Sequence, residues 1–381
     1  MTEERQAVRG AWFGPVAGRA ALFFVAALAG ACGSSQLVEM DPMHFAVVET
    51  ERGRSVEALD PESLFQDGNK AFEALDFELA AHKYGLIVDR FPGTRWYTVA
   101  SFNAGLSLER AGRQREAIGR FLAHIESVKG SKDAQDAYFR VASCHEALGE
   151  WDAMHAVGEV LLKPHYSEMG AGDRLAAHAV RGRAAEGRGE LALAERDYRR
   201  ALDLYQKNLE QRGLDRSPFV SLAQYRIGEI YRDLFASIRF KLPLERMARD
   251  LEDKSNFFLM AQSAYLRALR LQHPEWATMA GFRLGALYET MYEDMMSAEI
   301  PSDLTREEVE IYYEALRDKV RPLLVRAIDI YERNLRLGQR IGKRDDWVVK
   351  TEASLARLRE VLRAESSRAA DNLLKPEATE P

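Results

Sequence analysis

From residue 61 onward, apolar side chains return every three or four positions, the period of an amphipathic helix with one face turned inward. Small residues punctuate this pattern, Gly68, Gly105, Ala142 and Gly182 recurring at nearly even spacing. Twelve residues after each of the three glycines stands an alanine, and four later a ring: Ala80/Tyr84, Ala117/Phe121 and Ala194/Tyr198. A second glycine lies seven residues beyond the first small residue at Gly112, Gly149 and Gly189, where a tight turn would join two helices. The spacing predicts helix pairs repeated along the chain, each unit burying its apolar face against the next.

Two later units are stretched. Ile227-Gly228-x-x-Tyr231 matches a first helix, but its partner Ala261-x-x-x-Tyr265 begins far later than the twelfth position after the glycine. Leu284-Gly285-x-x-Tyr288 is followed, after a longer gap still, by Ala327-x-x-x-Tyr331. Both inserts carry a proline (Pro243, Pro301) and then a similar stretch, Leu251-Glu-Asp-Lys254 against Leu316-Arg-Asp-Lys319. Each reads as a lengthened first helix, a Pro-marked turn and an early start to the second helix. Thr305-x-x-Glu308 predicts a capping box at one such start. A closing helix over 346–365 carries Trp347, Val348, Leu355, Leu358 and Leu362 on one stripe, and 366–381 reads as a disordered tail.

These residues resemble the tetratricopeptide (TPR) repeat, in which the small residues mark close helix crossings and the ring fills the gap between neighbours. The resemblance implies an all-α, TPR-type α-solenoid of about six helix pairs: repeats 1–4 over 61–210, elongated repeats 5–6 over 217–345, and the capping helix. It also implies that the inner faces of the first helices grip partner peptides. On those faces fall Phe65, Phe102, Phe139, Tyr225 and Phe282 in one row, and Asn103, Arg140, Arg226 and Arg283 in the next. An aromatic row flanked by arginines suits peptides with apolar anchors and carboxylates. On that reading, charge reversal at Arg140 and Arg226 removes partner capture and leaves melting unchanged. The alternative is that the rings pack between helices and the arginines pair with glutamates along their own helices.

Residues 1–31 read as a signal peptide. Arg5, Arg9 and Arg19 precede an apolar run from Ala20 to Ala31. Twelve residues rise about 18 Å as a helix, short of the roughly 30 Å of bilayer hydrocarbon. The run ends in Leu28-Ala-Gly-Ala-Cys32, which resembles the lipobox of bacterial lipoproteins and implies acylation of Cys32. Gly33 in place of Asp, by resemblance to enterobacterial lipoproteins, implies an outer-membrane, lipid-anchored, periplasmic location. Residues 32–60 read as a flexible tether. The early repeats resemble the outer-membrane assembly lipoprotein BamD and related cell-envelope TPR proteins, and the long inserts resemble TPR lipoproteins of myxobacterial gliding motility.

Composition narrows the chemistry. Lys and Arg number 53 against 59 Asp and Glu, a net charge of −6 that offers no excess of cations to a phosphate backbone, so nucleic acid is not an expected partner. Two cysteines, Cys32 and Cys144, provide neither a disulfide framework nor a thiolate metal site. His145-Glu146 begins like a zinc-protease motif but meets Gly149 where the second histidine is needed, and Gly338-x-x-x-Gly342-Lys343 is one residue short of a phosphate loop. No catalytic residue, cofactor or metal is expected. The expected function is a protein-interaction scaffold in an outer-membrane or envelope-spanning complex, serving assembly or gliding motility. The alternative is a lipoprotein that regulates a peptidoglycan synthase or hydrolase.

Overall fold

A computed structural model describes residues 44–50, 53–163, 169–211, 213–342 and 344–373. Cys32 and the signal peptide lie outside the described residues. The fold is all-α, a series of helix pairs, preceded by one antiparallel pair of strands. Its elements are β1 (His44–Thr50), β2 (Gly53–Leu59), α1 (Pro61–Glu73), α2 (Phe77–Arg90), α3 (Tyr97–Arg110), α4 (Gln114–Ser127), α5 (Lys132–Leu148), α6 (Trp151–Leu161), α7 (Ala171–Gly187), α8 (Leu191–Lys207), α9 (Pro218–Ser237), α10 (Leu244–Arg270), α11 (Trp276–Met296), α12 (Arg306–Arg340) and α13 (Asp346–Leu373). Among the described residues they form six helix pairs and a closing helix. The described chain divides into two compact units, 44–170 with 183–190, and 171–182 with 191–373.

The expected small residues sit where two helices touch. A Cβ on Gly68 would lie 2.7 Å from the Tyr84 ring, one on Gly105 2.7 Å from Phe121, and one on Gly182 2.7 Å from Tyr198. In the elongated pairs Gly228 meets Tyr265 and Gly285 meets Tyr331 in the same way. Such separations are closer than carbon atoms tolerate, so each ring lies flat on the glycine's backbone. Repeat 3 solves the contact differently. Ala142 brings its methyl group, and the residue sixteen positions on, where the other regular repeats have a ring, is the buried Gly158. Met154 and Leu161, both fully buried, fill the core there. The turn after α5 closes on Gly149 at φ 72°, a left-handed conformation that favours glycine.

The buried tyrosines carry a hydroxyl into the core, and each must find an acceptor. Tyr84 donates to Asn69 Oδ1 at 2.7 Å, Tyr265 to Glu229 Oε1 at 2.5 Å and Tyr331 to Glu289 Oε2 at 2.7 Å.

The inserts form as predicted, α9 and α11 being lengthened first helices and α10 and α12 second helices that begin early. Thr305 and Glu308 make the reciprocal capping box. The structure also supplies the reason for elongation in two successive repeats: each covers the other's extra turns. Lys254 of α10, fully buried, donates to Phe235 O at 2.7 Å and Ile238 O at 2.9 Å at the end of α9, and lies 2.8 Å from Asp294 of α11. Asp294 also takes Arg239 at 2.7 Å. Leu242 N donates to Glu299 Oε2 at 2.9 Å, and Phe240 is buried beside them. The orphan carbonyls of a helix end are thus satisfied by a side chain from its partner helix.

Two expectations are corrected. Residues 44–50 and 53–59, read as part of a flexible tether, form two antiparallel strands with His44 opposite Leu59 and Thr50 opposite Gly53. The first strand carries Phe45, Val47, Val48 and Thr50, side chains that favour strand, and Gly53 opens the second. The strand pair is fixed at one end, where Leu59 joins the core of repeat 1 and the His44 ring meets Phe91 edge-on at 4.8 Å. The closing helix, expected to end at 365, continues to Leu373. Ser366 holds that extension by accepting from Arg321 at 3.1 Å, and Glu365 accepts from Tyr292 at 2.5 Å.

Candidate functional site: the inner faces of the first helices

The ring row forms contacts between helices. Phe65 lies 5.5 Å from Tyr84 and 4.9 Å from Trp96. Tyr225 lies 5.9 Å from Tyr265 and 5.3 Å from Trp276, and Phe282 lies 5.9 Å from Tyr331 and 5.6 Å from Trp347. In all three sets, a ring of the first helix is sandwiched between the ring of its own second helix and a tryptophan at the start of the next element. Phe102 follows the theme with Phe121 at 5.6 Å and the buried His124 at 5.1 Å. Phe139 and Tyr225 are 4% and 2% exposed, so neither offers a partner any surface in this conformation. Burial raises the Tyr225 hydroxyl well above its ordinary pKa.

Arginines of the second row pair across repeats, whereas the sequence reading placed their alternative partners along the same helix. Arg140 of α5 lies 3.6 Å from Glu109 of α3. Arg283 of α11 lies 3.2 Å from Glu229 of α9 and donates to the Tyr225 hydroxyl at 3.4 Å. The same geometry joins Arg183 to Glu146 at 2.8 Å, and Arg357 of the closing helix to Glu289. Glutamates on one first helix are therefore clasped by arginines from the next inward-facing helix. Burial lowers Arg140 and raises Glu109 from their ordinary pKa values, the pairing opposing both shifts. At Arg283 burial acts downward, but Glu229 and then Tyr225 outweigh it and hold the guanidinium protonated. Arg226 places its guanidinium 5.9 Å from the Tyr225 ring centroid. Asn103, half-buried, interacts with the Tyr84 hydroxyl, whose pKa burial pushes up to about 12.

Sequence reasoning found the arginine row but not which glutamates it pairs with. It missed Arg183, Arg357, Trp96 and Trp276, and placed Trp347 on the stripe of the closing helix without linking it to the ring row. Trp96, Trp276 and Trp347 each stand within one residue of a helix start, and that position was the available signal.

Elsewhere, Asp197 of α8 is 3% exposed and accepts from Arg181 Nε at 2.9 Å, with His178 Nδ1 at 3.4 Å. Burial alone would raise its carboxyl, yet these partners hold it at about 2. An open cleft of about 480 Å³ lies between α2 and α4. Its charges are paired across it, Arg113 with Glu78 at 2.7 Å and Arg120 with Asp89 at 2.6 Å. His145 pairs with Glu150 at 2.9 Å, across the turn from α5 to α6. Cys144 is fully buried, and burial first, then Glu109, raises its thiol far above the usual range, which leaves it unreactive. Among the described residues no three His, Cys, Asp or Glu side chains gather to hold a metal ion, and no helix is long and apolar enough to cross a membrane.

No protein-family description matches the chain, and no curated protein does. Similar solved structures include a TPR repeats protein from Bacteroides fragilis NCTC 9343, 13% identical, covering 78% of this chain and 99% of its own, with a TM-score of 0.30. A second is a tetratricopeptide repeat protein from Parabacteroides merdae ATCC 43184, 15% identical, covering 77% and 98%, with a TM-score of 0.37.

Proposed function

We propose that the chain is a protein-interaction scaffold, held to the periplasmic face of the outer membrane by acyl groups on Cys32. The observation that carries the scaffold reading is the series of six helix pairs and a closing helix among the described residues. Repeats of this kind expose a long face whose side chains can vary without disturbing the glycine–ring contacts that build the fold. The lipid anchor is supported by Leu28-Ala-Gly-Ala-Cys32 behind a short apolar run. An envelope-spanning complex, for assembly or gliding motility, is the process proposed for it.

The test is metabolic labelling with a fatty acid, followed by crosslinking in intact cells and mass spectrometry of captured proteins. Labelling that disappears in Cys32→Ser, together with capture of outer-membrane or motility-complex proteins, is the expected result. Labelling independent of Cys32 would overturn the anchor. Capture restricted to peptidoglycan synthases or hydrolases would replace the assembly reading with regulation of those enzymes.

A further inference from the structure

The long second helix of repeat 5 carries an apolar stripe on its outer side. Leu244, Ala248, Leu251, Ser255, Leu259, Gln262 and Leu266 follow one another at steps of four, three, four, four, three and four. That is an eleven-residue repeat, about 3.67 residues per turn, which stays on one side of a straight helix. At about 100° per residue the seven positions span roughly 80° of the circumference and about 33 Å of length. The four leucines are 61%, 38%, 57% and 37% exposed, in chain order. Gln262 marks the rim, its amide bonded to the Tyr288 hydroxyl. Core-facing residues Lys254, Ala261, Tyr265 and Ala268 lie on a different side of the same helix.

The stripe, Leu-Ala-Leu-Ser-Leu-Gln-Leu, places its four leucines symmetrically about Ser255, with Ala248 mirrored by the larger Gln262. Its flanking charge is not symmetric. Exposed Glu245 and Glu252, with Arg249 behind them, flank the N-terminal half, and exposed Arg267 and Arg270 flank the C-terminal half. The same flank is thus net negative at one end and positive at the other.

We propose that this stripe is a docking surface for a second copy of the chain, the two α10 helices running antiparallel about a two-fold axis through Ser255. Leu244 then meets Leu266 of the other copy, and Leu251 meets Leu259. Glu245 is brought beside Arg267, and each of these contacts occurs twice, as an isologous interface requires. A parallel pairing about an axis along the helices instead sets this flank against the opposite flank of the partner helix, so Glu245 and Arg267 are not brought together. The small Ser255 at the axis permits close approach of the two backbones.

The test uses the full chain carrying Cys32→Ser, which keeps acyl groups and a free N-terminal thiol out of the measurement. Light scattering behind size exclusion should give twice the chain mass, and Leu251→Glu with Leu259→Glu should return it to the single-chain mass with unchanged helicity. As a check that needs no disruptive change, chains with Ala248→Cys are mixed with chains carrying Gln262→Cys. A disulfide joining the two kinds of chain is expected under mild oxidation. A single-chain mass for the parent, a dimer that survives the double substitution, or Ala248→Cys linking only to itself would each overturn the proposal.

Discussion

Lys254→Met is the sharpest probe of the elongated repeats. The lysine is fully buried and makes two short bonds to the carbonyls that end α9, besides its contact with Asp294. Hydrogen bonds from a charged donor contribute about 1.5–3 kcal/mol each, and removing one partner leaves the other desolvated. Asp294 keeps Arg239, so the carboxylate is not stranded. Relief from burying the ammonium and the apolar fit of Met beside Phe235 and Phe240 offset part of the loss. The expected net cost is about 2–4 kcal/mol. It is read by urea unfolding followed by circular dichroism, together with hydrogen exchange localised to 235–242 and 294–299. Lys319→Met is the internal control, because Lys319 occupies the matching place in the second insert but is exposed; its cost should stay within about 0.5 kcal/mol. Equal effects of the two changes, or faster exchange spread evenly over the chain, would refute the assignment of Lys254 as the clamp.

Three further outcomes are expected. Gly158→Tyr should destabilise on its own and be rescued in part by Ala142→Gly, with a coupling of about 1–3 kcal/mol by denaturant unfolding; additivity of the two changes would sink the exchange proposed for repeat 3. Arg140→Glu should lower the melting temperature by setting a second carboxylate beside half-buried Glu109, contrary to the behaviour of a groove residue, and Glu109→Arg added to it should recover part of the loss. Asp197 is held at about 2 against an ordinary 3.8, so its stabilisation, about 2 kcal/mol, is complete above the unfolded value and is lost as pH falls from about 4 to 2. Asp197→Asn should remove that segment of the stability–pH curve, and a variant curve parallel to the parent's down to pH 2 would contradict it.

The helix pairs were legible because their signals are local: a glycine, an alanine twelve residues on and a ring sixteen on mark contacts within one pair. Thr305 and Glu308 were legible for the same reason. What escaped depends on distance along the chain. Glu109 and Arg140, Glu229 and Arg283, and Glu289 and Arg357 stand on different helices with a whole second helix between them in the chain, so no helical period connects them. Their sequence neighbours at three and four residues offered competing partners. The strand pair escaped because its strands are short, and the contacts that join Leu59 and His44 to repeat 1 follow no local spacing. Nothing in the sequence marks Lys254 as buried, since lysine is almost never fully buried without partners, and its partners lie on two other helices. The aromatic row was legible as a row, but the tryptophans that cover it were not linked to it by any local spacing.

The mutual covering of the two long repeats constrains how this chain can have grown. A regular repeat can be copied or dropped singly, because each neighbour presents an equivalent face to the gap. The extra turns of α9 and α11 have no such freedom: without α11, Lys254 loses Asp294 and Leu242 loses Glu299, and without α9 and α10, Asp294 loses both its cations. Repeats 5 and 6 are therefore a single heritable block, to be gained, lost or transplanted together.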